Sequence, residues 1–125
     1  MKKRILIVDD DKLNIKVTEL NLKQYGYDVL IANSGMEAIS CLTQEDVDLI
    51  LLDIQMPIMN GIKTLEAIRK RSVMKDIPVI FLTSSADSDM VIEACRLEAV
   101  DYVVKPYIPR DLCVRIEAAL YKTGK

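Results

Sequence analysis

Leu49-Ile50-Leu51-Leu52-Asp53 is a run of four apolar residues closed by a carboxylate, and its reading decides the fold. So short and unbroken an apolar run suits a strand buried on both faces, as happens where helices cover both sides of a parallel sheet. Ile5-Leu6-Ile7-Val8 and Val79-Ile80-Phe81-Leu82 have the same character, so these three are expected to be the central strands. Working outward, strands are predicted near 4–8, 27–32, 48–52, 77–82 and 100–104. Between them, Leu13/Val17/Leu20, Ala38/Ile39/Leu42, Ile62/Leu65/Ile68, Val91/Ala94/Cys95 and Leu112/Ile116/Leu120 recur at helical spacing. Each set is read as the buried face of one helix, which makes the chain an α/β fold of alternating strands and helices. Ser34 with Glu37 forms a capping box, Gly61 opens the third helix, and Pro109 suits the first turn of the last. Ile108 offers no side-chain acceptor before Pro109, leaving Asp111 as the candidate cap there.

A chain of 125 residues with 50% hydrophobic content has room for one core, so residues 1–125 are expected to form a single domain. Lys and Arg number 17 against 19 Asp and Glu, a net charge of −2 that recruits neither nucleic acid nor an anionic membrane. The Arg69-Lys70-Arg71 run reads as cations at a helix C-terminus. No apolar run is long enough to cross a bilayer and the N-terminus lacks a signal-peptide core, so a cytoplasmic location is expected. Cys41, Cys95 and Cys113 are read as reduced thiols rather than a metal or disulfide set. With 0 His, the chain has neither a histidine base nor a histidine phosphocarrier of its own.

The polar residues fall where the apolar runs end. Asp9-Asp10-Asp11 follows the first strand, Asp53 the third, Thr83-Ser84-Ser85 the fourth and Lys105-Pro106 the fifth. In open parallel sheets, ligands bind beyond the carboxyl ends of the strands, so these residues are expected to share one pocket. Carboxylates gathered from two strands repel one another, and a hard cation such as Mg²⁺, held by oxygen ligands, removes that cost. With the cation present, Asp53 can act as a nucleophile toward a phosphoryl group, Lys105 can neutralise a phosphoryl oxygen, and the Thr83 hydroxyl can donate to another. Taken singly, the acidic run could be loop solvation, Thr83 a local turn former and Lys105 a surface lysine. An Asp directly after four consecutive apolar residues is a more unusual way to end a buried strand.

Ile5 to Asp11, Asp53-Ile54-Gln55-Met56-Pro57-Ile58-Met59-Asn60-Gly61, Thr83-Ser84 and Asp101-Tyr102-Val103-Val104-Lys105-Pro106 together resemble the receiver domain of bacterial response regulators, over essentially the whole chain. The resemblance implies a flavodoxin-like, doubly wound (βα)5 fold with a five-stranded parallel sheet of order 2-1-3-4-5. It implies a signalling phosphoacceptor, not an enzyme, in which Asp53 takes a phosphoryl group from the phosphohistidine of a sensor histidine kinase or histidine phosphotransfer protein. It further implies that Asp9, Asp10 and Asp53, with the backbone carbonyl of Gln55, hold Mg²⁺, and that Lys105-Pro106 is cis. Tyr102 matches an aromatic that turns inward when Thr83 moves onto the phosphate, switching the face of helix four, strand five and helix five. That face would bind a downstream protein target or a fused output domain.

Asn60 stands where such domains more often carry Asp, a change the loop tolerates. The resemblance implies that Gln55 and Ser85, each two positions beyond a site residue, are variable positions flanking the path of an attacking water, and they are expected to tune the lifetime of the phosphorylated form. A haloacid-dehalogenase-like Mg²⁺ phosphatase is the main rival. It needs a second Asp two residues past a nucleophile on the first strand, whereas here Gln55 follows Asp53 on the third. A flavin-binding module would need a phosphate-cradling loop where Asp9-Asp10-Asp11 would repel the phosphate. A degenerate receiver serving as a binding scaffold is disfavoured by intact Asp53, Thr83 and Lys105.

Overall fold

The computed structural model describes residues 2–71, 76–84 and 88–122. Five strands and five helices alternate: β1 (Arg4–Val8), α1 (Lys12–Gln24), β2 (Asp28–Ala32), α2 (Gly35–Gln44), β3 (Leu49–Asp53), α3 (Gly61–Arg69), β4 (Val79–Thr83), α4 (Ser88–Arg96), β5 (Asp101–Val104) and α5 (Pro109–Lys122). The strands form one parallel sheet in the order β2-β1-β3-β4-β5, the doubly wound topology expected from the sequence. Every residue of β3 and β4 is buried, because helices cover both faces at the centre of the sheet. Asp53 and Thr83 are the last residues of their strands rather than the first residues beyond, so the ladder itself holds their backbones.

Alternation along the strands divides the core in two. Leu6, Val8, Ile50, Leu52, Val79 and Phe81 point toward α2, α3 and α4. Ile5, Ile7, Leu49, Leu51, Ile80 and Leu82 point toward α1 and α5. Helices α2 and α3 bury the faces anticipated for them; Ser34 caps α2 by accepting from Glu37 N–H at 3.1 Å, but the Glu37 carboxylate accepts from Asn33 N–H at 3.0 Å rather than from Ser34 as the expected box requires. At the start of α5, the Asp111 carboxylate accepts from Arg115 one turn later rather than supplying the cap expected of it.

Two helical faces differ from expectation. In α1 the buried residues are Ile15, Thr18 and Leu22, whereas Leu13, Val17 and Leu20 are 72%, 48% and 54% exposed. This helix carries two apolar stripes, and the spacing of either one satisfies a helical period. Ile15 and Leu22 carry the stripe inward, and the Thr18 hydroxyl between them has a partner there. In α4, Met90 and Ala94 pack on the core, as does Leu97 just past its end, and Cys95 is exposed, so the true face is rotated from Val91/Ala94/Cys95. All three cysteines are free, and burial pushes the Cys41 and Cys113 thiols up from their ordinary pKa.

Arginines tie together the edge of the sheet where the strands begin. Arg4 donates from its guanidinium to the Asp46 carbonyl and the Glu45 carboxylate, at 3.0 and 2.7 Å. Arg69 does more than compensate the dipole of α3. Its guanidinium donates to the carbonyls of Ile77, Leu97 and Glu98, at 2.9, 3.1 and 3.3 Å, joining α3 to the entry of β4 and the end of α4. Glu98 has a left-handed φ of 62°, and the bonds from Glu98 N–H to Cys95 and Ala99 N–H to Ala94 close the turn that ends α4. Arg69→Met should therefore destabilise the protein by about 2–3 kcal/mol, because it leaves part-buried carbonyls without a charged donor. Denaturant titration should show that loss, and the neighbouring Lys70→Met should stay within about 0.5 kcal/mol of wild type.

Candidate functional site

The carboxyl ends of β1, β3 and β5 open onto a cleft of about 710 Å³ whose wall includes Asp9, Asp10, Asp53 and Lys105. Carboxylate oxygens of Asp9, Asp10 and Asp53 all lie within 4.8 Å of one another. Asp9 and Asp53 are buried and Asp10 is exposed. Lys105 Nζ stands 3.4 Å from Asp9 Oδ2 and 3.6 Å from Asp53 Oδ1, so the ammonium lies between the two buried carboxylates. Asp11, the third acid of the run, serves the chain instead. It caps α1, accepting from the backbone N–H groups of Leu13 and Asn14 at 2.9 and 3.2 Å.

Burial pushes the Asp53 pKa up from 3.8 to about 6; the Lys105 charge opposes the rise, Asp9 adds to it, the Gln55 backbone N–H opposes it and Asp10 adds to it. One ammonium is thus too little to neutralise this cluster. An all-oxygen donor set with excess negative charge fits a hard divalent cation such as Mg²⁺, and Asp9, Asp10 and Asp53 are the residues that could hold it.

The loop after Asp53 is folded tightly back on its own strand. Ile54 carbonyl accepts from Met56 N–H at 3.2 Å and from Gly61 N–H at 2.8 Å. A Cβ on Gly61 would stand 2.7 Å from Ile54 Cα and closer still to the Asp53 carbonyl oxygen, so only glycine lets α3 begin there. Asn60 caps that helix, its side-chain oxygen accepting from Lys63 N–H at 2.9 Å, which an Asp would do in the same way. At the exposed tip Ile58 takes a φ of 69°, and Met59 N–H donates to the Pro57 carbonyl at 2.7 Å. A β-branched residue in that region is strained by about 1–3 kcal/mol.

The other residues singled out in the sequence are placed as follows. Thr83 is buried at the end of β4, and its carbonyl accepts from Lys105 N–H at 2.7 Å. Lys105-Pro106 is cis. Tyr102 lies away from the cleft, on the α4 side of β5, with its ring edge-on to Phe81 at a centroid distance of 6.3 Å. Ser85 falls outside the described residues. Its neighbour Ser84 donates to the Gln55 side-chain oxygen at 2.7 Å, bridging the loops that follow β3 and β4. The sequence reading missed that bridge, and it missed a second one between Thr18 and Tyr107, 2.7 Å apart across 89 residues. Neither has a local signal; each depends on where two distant segments meet.

The described residues contain no helix long and apolar enough to cross a membrane. Compared with known families, residues 5–117 match the response regulator receiver domain. The chain is 42% identical to a probable transcriptional regulator, ycf27, of Guillardia theta, over 99% of this chain and 48% of that protein. It is 34% identical to the alkaline phosphatase synthesis transcriptional regulatory protein PhoP of Bacillus subtilis (strain 168), over 98% of this chain and 50% of that protein. The chain thus spans about half the length of these curated relatives. Among solved structures, a CheY-like response regulator receiver domain protein from Methanospirillum hungatei JF-1 superposes with a TM-score of 0.92 at 33% identity, covering 98% of this chain and 97% of that one.

Proposed function

The chain belongs to the response regulator receiver domain family, and from that premise we propose that Asp53 is its phosphoacceptor, with residues 1–125 acting as one receiver unit. The observation that carries this reading is the placement of Asp53: buried, flanked by Asp9 and Asp10, and 3.6 Å from the ammonium of Lys105. In the transfer, an Asp53 oxygen attacks phosphorus, the bond to the donor histidine breaks, and an aspartyl phosphate remains. The donor is a sensor histidine kinase or a histidine phosphotransfer protein, because this chain has 0 His. Mg²⁺ held by Asp9, Asp10, Asp53 and the Gln55 carbonyl would supply charge neutralisation as the phosphoryl group arrives. Lys105 holds a phosphoryl oxygen by charge, and the Thr83 hydroxyl donates to another.

The output is a change of surface rather than turnover. Thr83 moving toward the phosphate alters the packing beside Tyr102 and so the face formed by α4, β5 and α5, where a downstream protein or output domain binds. For these residues we infer no direct contact with nucleic acid or membrane, and a cytoplasmic location. A dehalogenase-like phosphatase gains no support, since Gln55 stands where its second carboxylate would be.

The decisive test is incubation with a small phosphoryl donor with and without Mg²⁺, followed by intact mass and peptide mapping. One phosphoryl group on Asp53 that disappears on chelation supports the reading. Modification elsewhere, or modification indifferent to chelation, refutes it. Gln55 and Ser84 line the cleft with Asp53 and are joined by a hydrogen bond, so Gln55→Ala should open the approach of water and shorten the lifetime of the phosphorylated form about fivefold, a barrier change near 1 kcal/mol. An unchanged decay rate would remove Gln55 from that role.

A further inference from the structure

We propose that Thr18 is a positioning residue for phosphoryl transfer, acting through Tyr107 to hold the turn that carries Lys105 against Asp53. The inference rests on the reading of Asp53 as phosphoacceptor. Thr18 lies in the middle of α1 on the side that faces the sheet, between Ile15 and Leu22, and is 5% exposed. An aliphatic residue would complete that apolar face, whereas a buried hydroxyl is costly unless it is hydrogen-bonded. Its partner is the Tyr107 hydroxyl, at 2.7 Å.

Tyr107 is two residues past Lys105, and its ring packs on the core shared by α1 and α5. The Lys105 backbone therefore sits between two anchors. On one side its N–H donates to the Thr83 carbonyl at 2.7 Å; on the other, the Tyr107 ring is set in azimuth by its bond to Thr18. The ammonium it delivers is 3.4 and 3.6 Å from the two carboxylates, at the long end of ion-pair geometry. A modest drift of the turn would leave the charge out of reach of a phosphoryl oxygen, and transfer that depends on positioning is sensitive to such a drift. Thr18 and Tyr107 also line the same cleft as Asp53, so the pair stands beside the site rather than behind it.

The test uses the full chain, saturating Mg²⁺ and phosphoramidate as donor, so that no protein partner has to dock. Thr18→Val and Tyr107→Phe are each expected to slow labelling of Asp53 about fivefold to tenfold while Mg²⁺ affinity is unchanged. The double variant should be no slower than either single one, and Thr18→Ser should restore the wild-type rate. If Thr18→Val does not fold, Tyr107→Phe decides alone. Wild-type labelling by Tyr107→Phe, or a Thr18→Ser variant as slow as Thr18→Val, overturns the positioning role while leaving Asp53 as acceptor. A wild-type chain that takes no label, or an Asp53→Asn variant that does, overturns the reading beneath it.

Discussion

Asp53→Asn should take up no phosphoryl group from a small donor, a loss of at least about a thousandfold, because the amide lacks the nucleophilic oxygen and one of the negative charges that gather the cation. Lys105→Met should be slowed about a hundredfold yet still labelled on Asp53, since removing one preformed donor of positive charge typically costs that much and leaves the nucleophile in place. The two variants separate chemistry from electrostatics. Equal and complete loss in both would mean that Lys105 is needed to hold Asp53 in position, given its 3.6 Å contact with that carboxylate. Intact mass after a fixed exposure to donor distinguishes the outcomes.

The second large effect concerns stability and pH. The Asp53 pKa is raised from 3.8 to about 6 in the folded, cation-free protein, chiefly by burial. Between those values the native state binds more protons than the unfolded chain, so stability falls as pH rises through the interval. The destabilisation is absent below the unfolded pKa and complete above the folded one. Two pKa units correspond to about 3 kcal/mol, and solvent screening at this cleft reduces the expected figure to about 1–2 kcal/mol. Without divalent cation, Asp53→Asn should therefore be more stable than wild type by that amount above pH 6, and equal to it near pH 4. Saturating Mg²⁺ should reverse the order above pH 6, since only the wild type keeps all three carboxylates. Urea titrations at both pH values, with chelator and with Mg²⁺, measure this directly. An Asp53→Asn advantage that does not vary with pH would refute burial of the charge as its cause.

Much of the fold was legible because the signals were local. Four apolar residues before Asp53 suited a strand covered on both sides, and polar residues at the ends of four strands were expected to converge once the sheet was parallel. The phase of α1 was not legible, because Leu13/Val17/Leu20 and Ile15/Thr18/Leu22 both recur at helical spacing and the choice between them depends on the sheet and α5 residues they meet, far along the chain. Cys95 misled for a similar reason: a thiol is apolar enough to continue a helical face, but the sheet contacts fall on Met90, Ala94 and Leu97. Arg69 looked like one of three cations at a helix end, and only the fold brings the Ile77, Leu97 and Glu98 carbonyls to it. At the site, residue types and order announced Asp9, Asp10, Asp53 and Lys105. The Gln55–Ser84 and Thr18–Tyr107 pairs required coordinates.

The arginine ties around Arg4 and Arg69 fasten the rim where the strands begin, whereas among the described residues the rim where they end is joined by bonds such as Ser84 to Gln55 and Lys105 N–H to Thr83, and by the Lys105 ammonium. The arginine-tied rim is therefore expected to be the slower of the two to open. The Asp48 and Val100 N–H groups, which donate to the Arg4 and Val79 carbonyls at that rim, should therefore exchange more slowly than the Met56 and Gly61 N–H groups in the loop after β3. The sheet can thus act as a fixed base for a surface that rearranges, and a signal entering at one pole need not loosen the other.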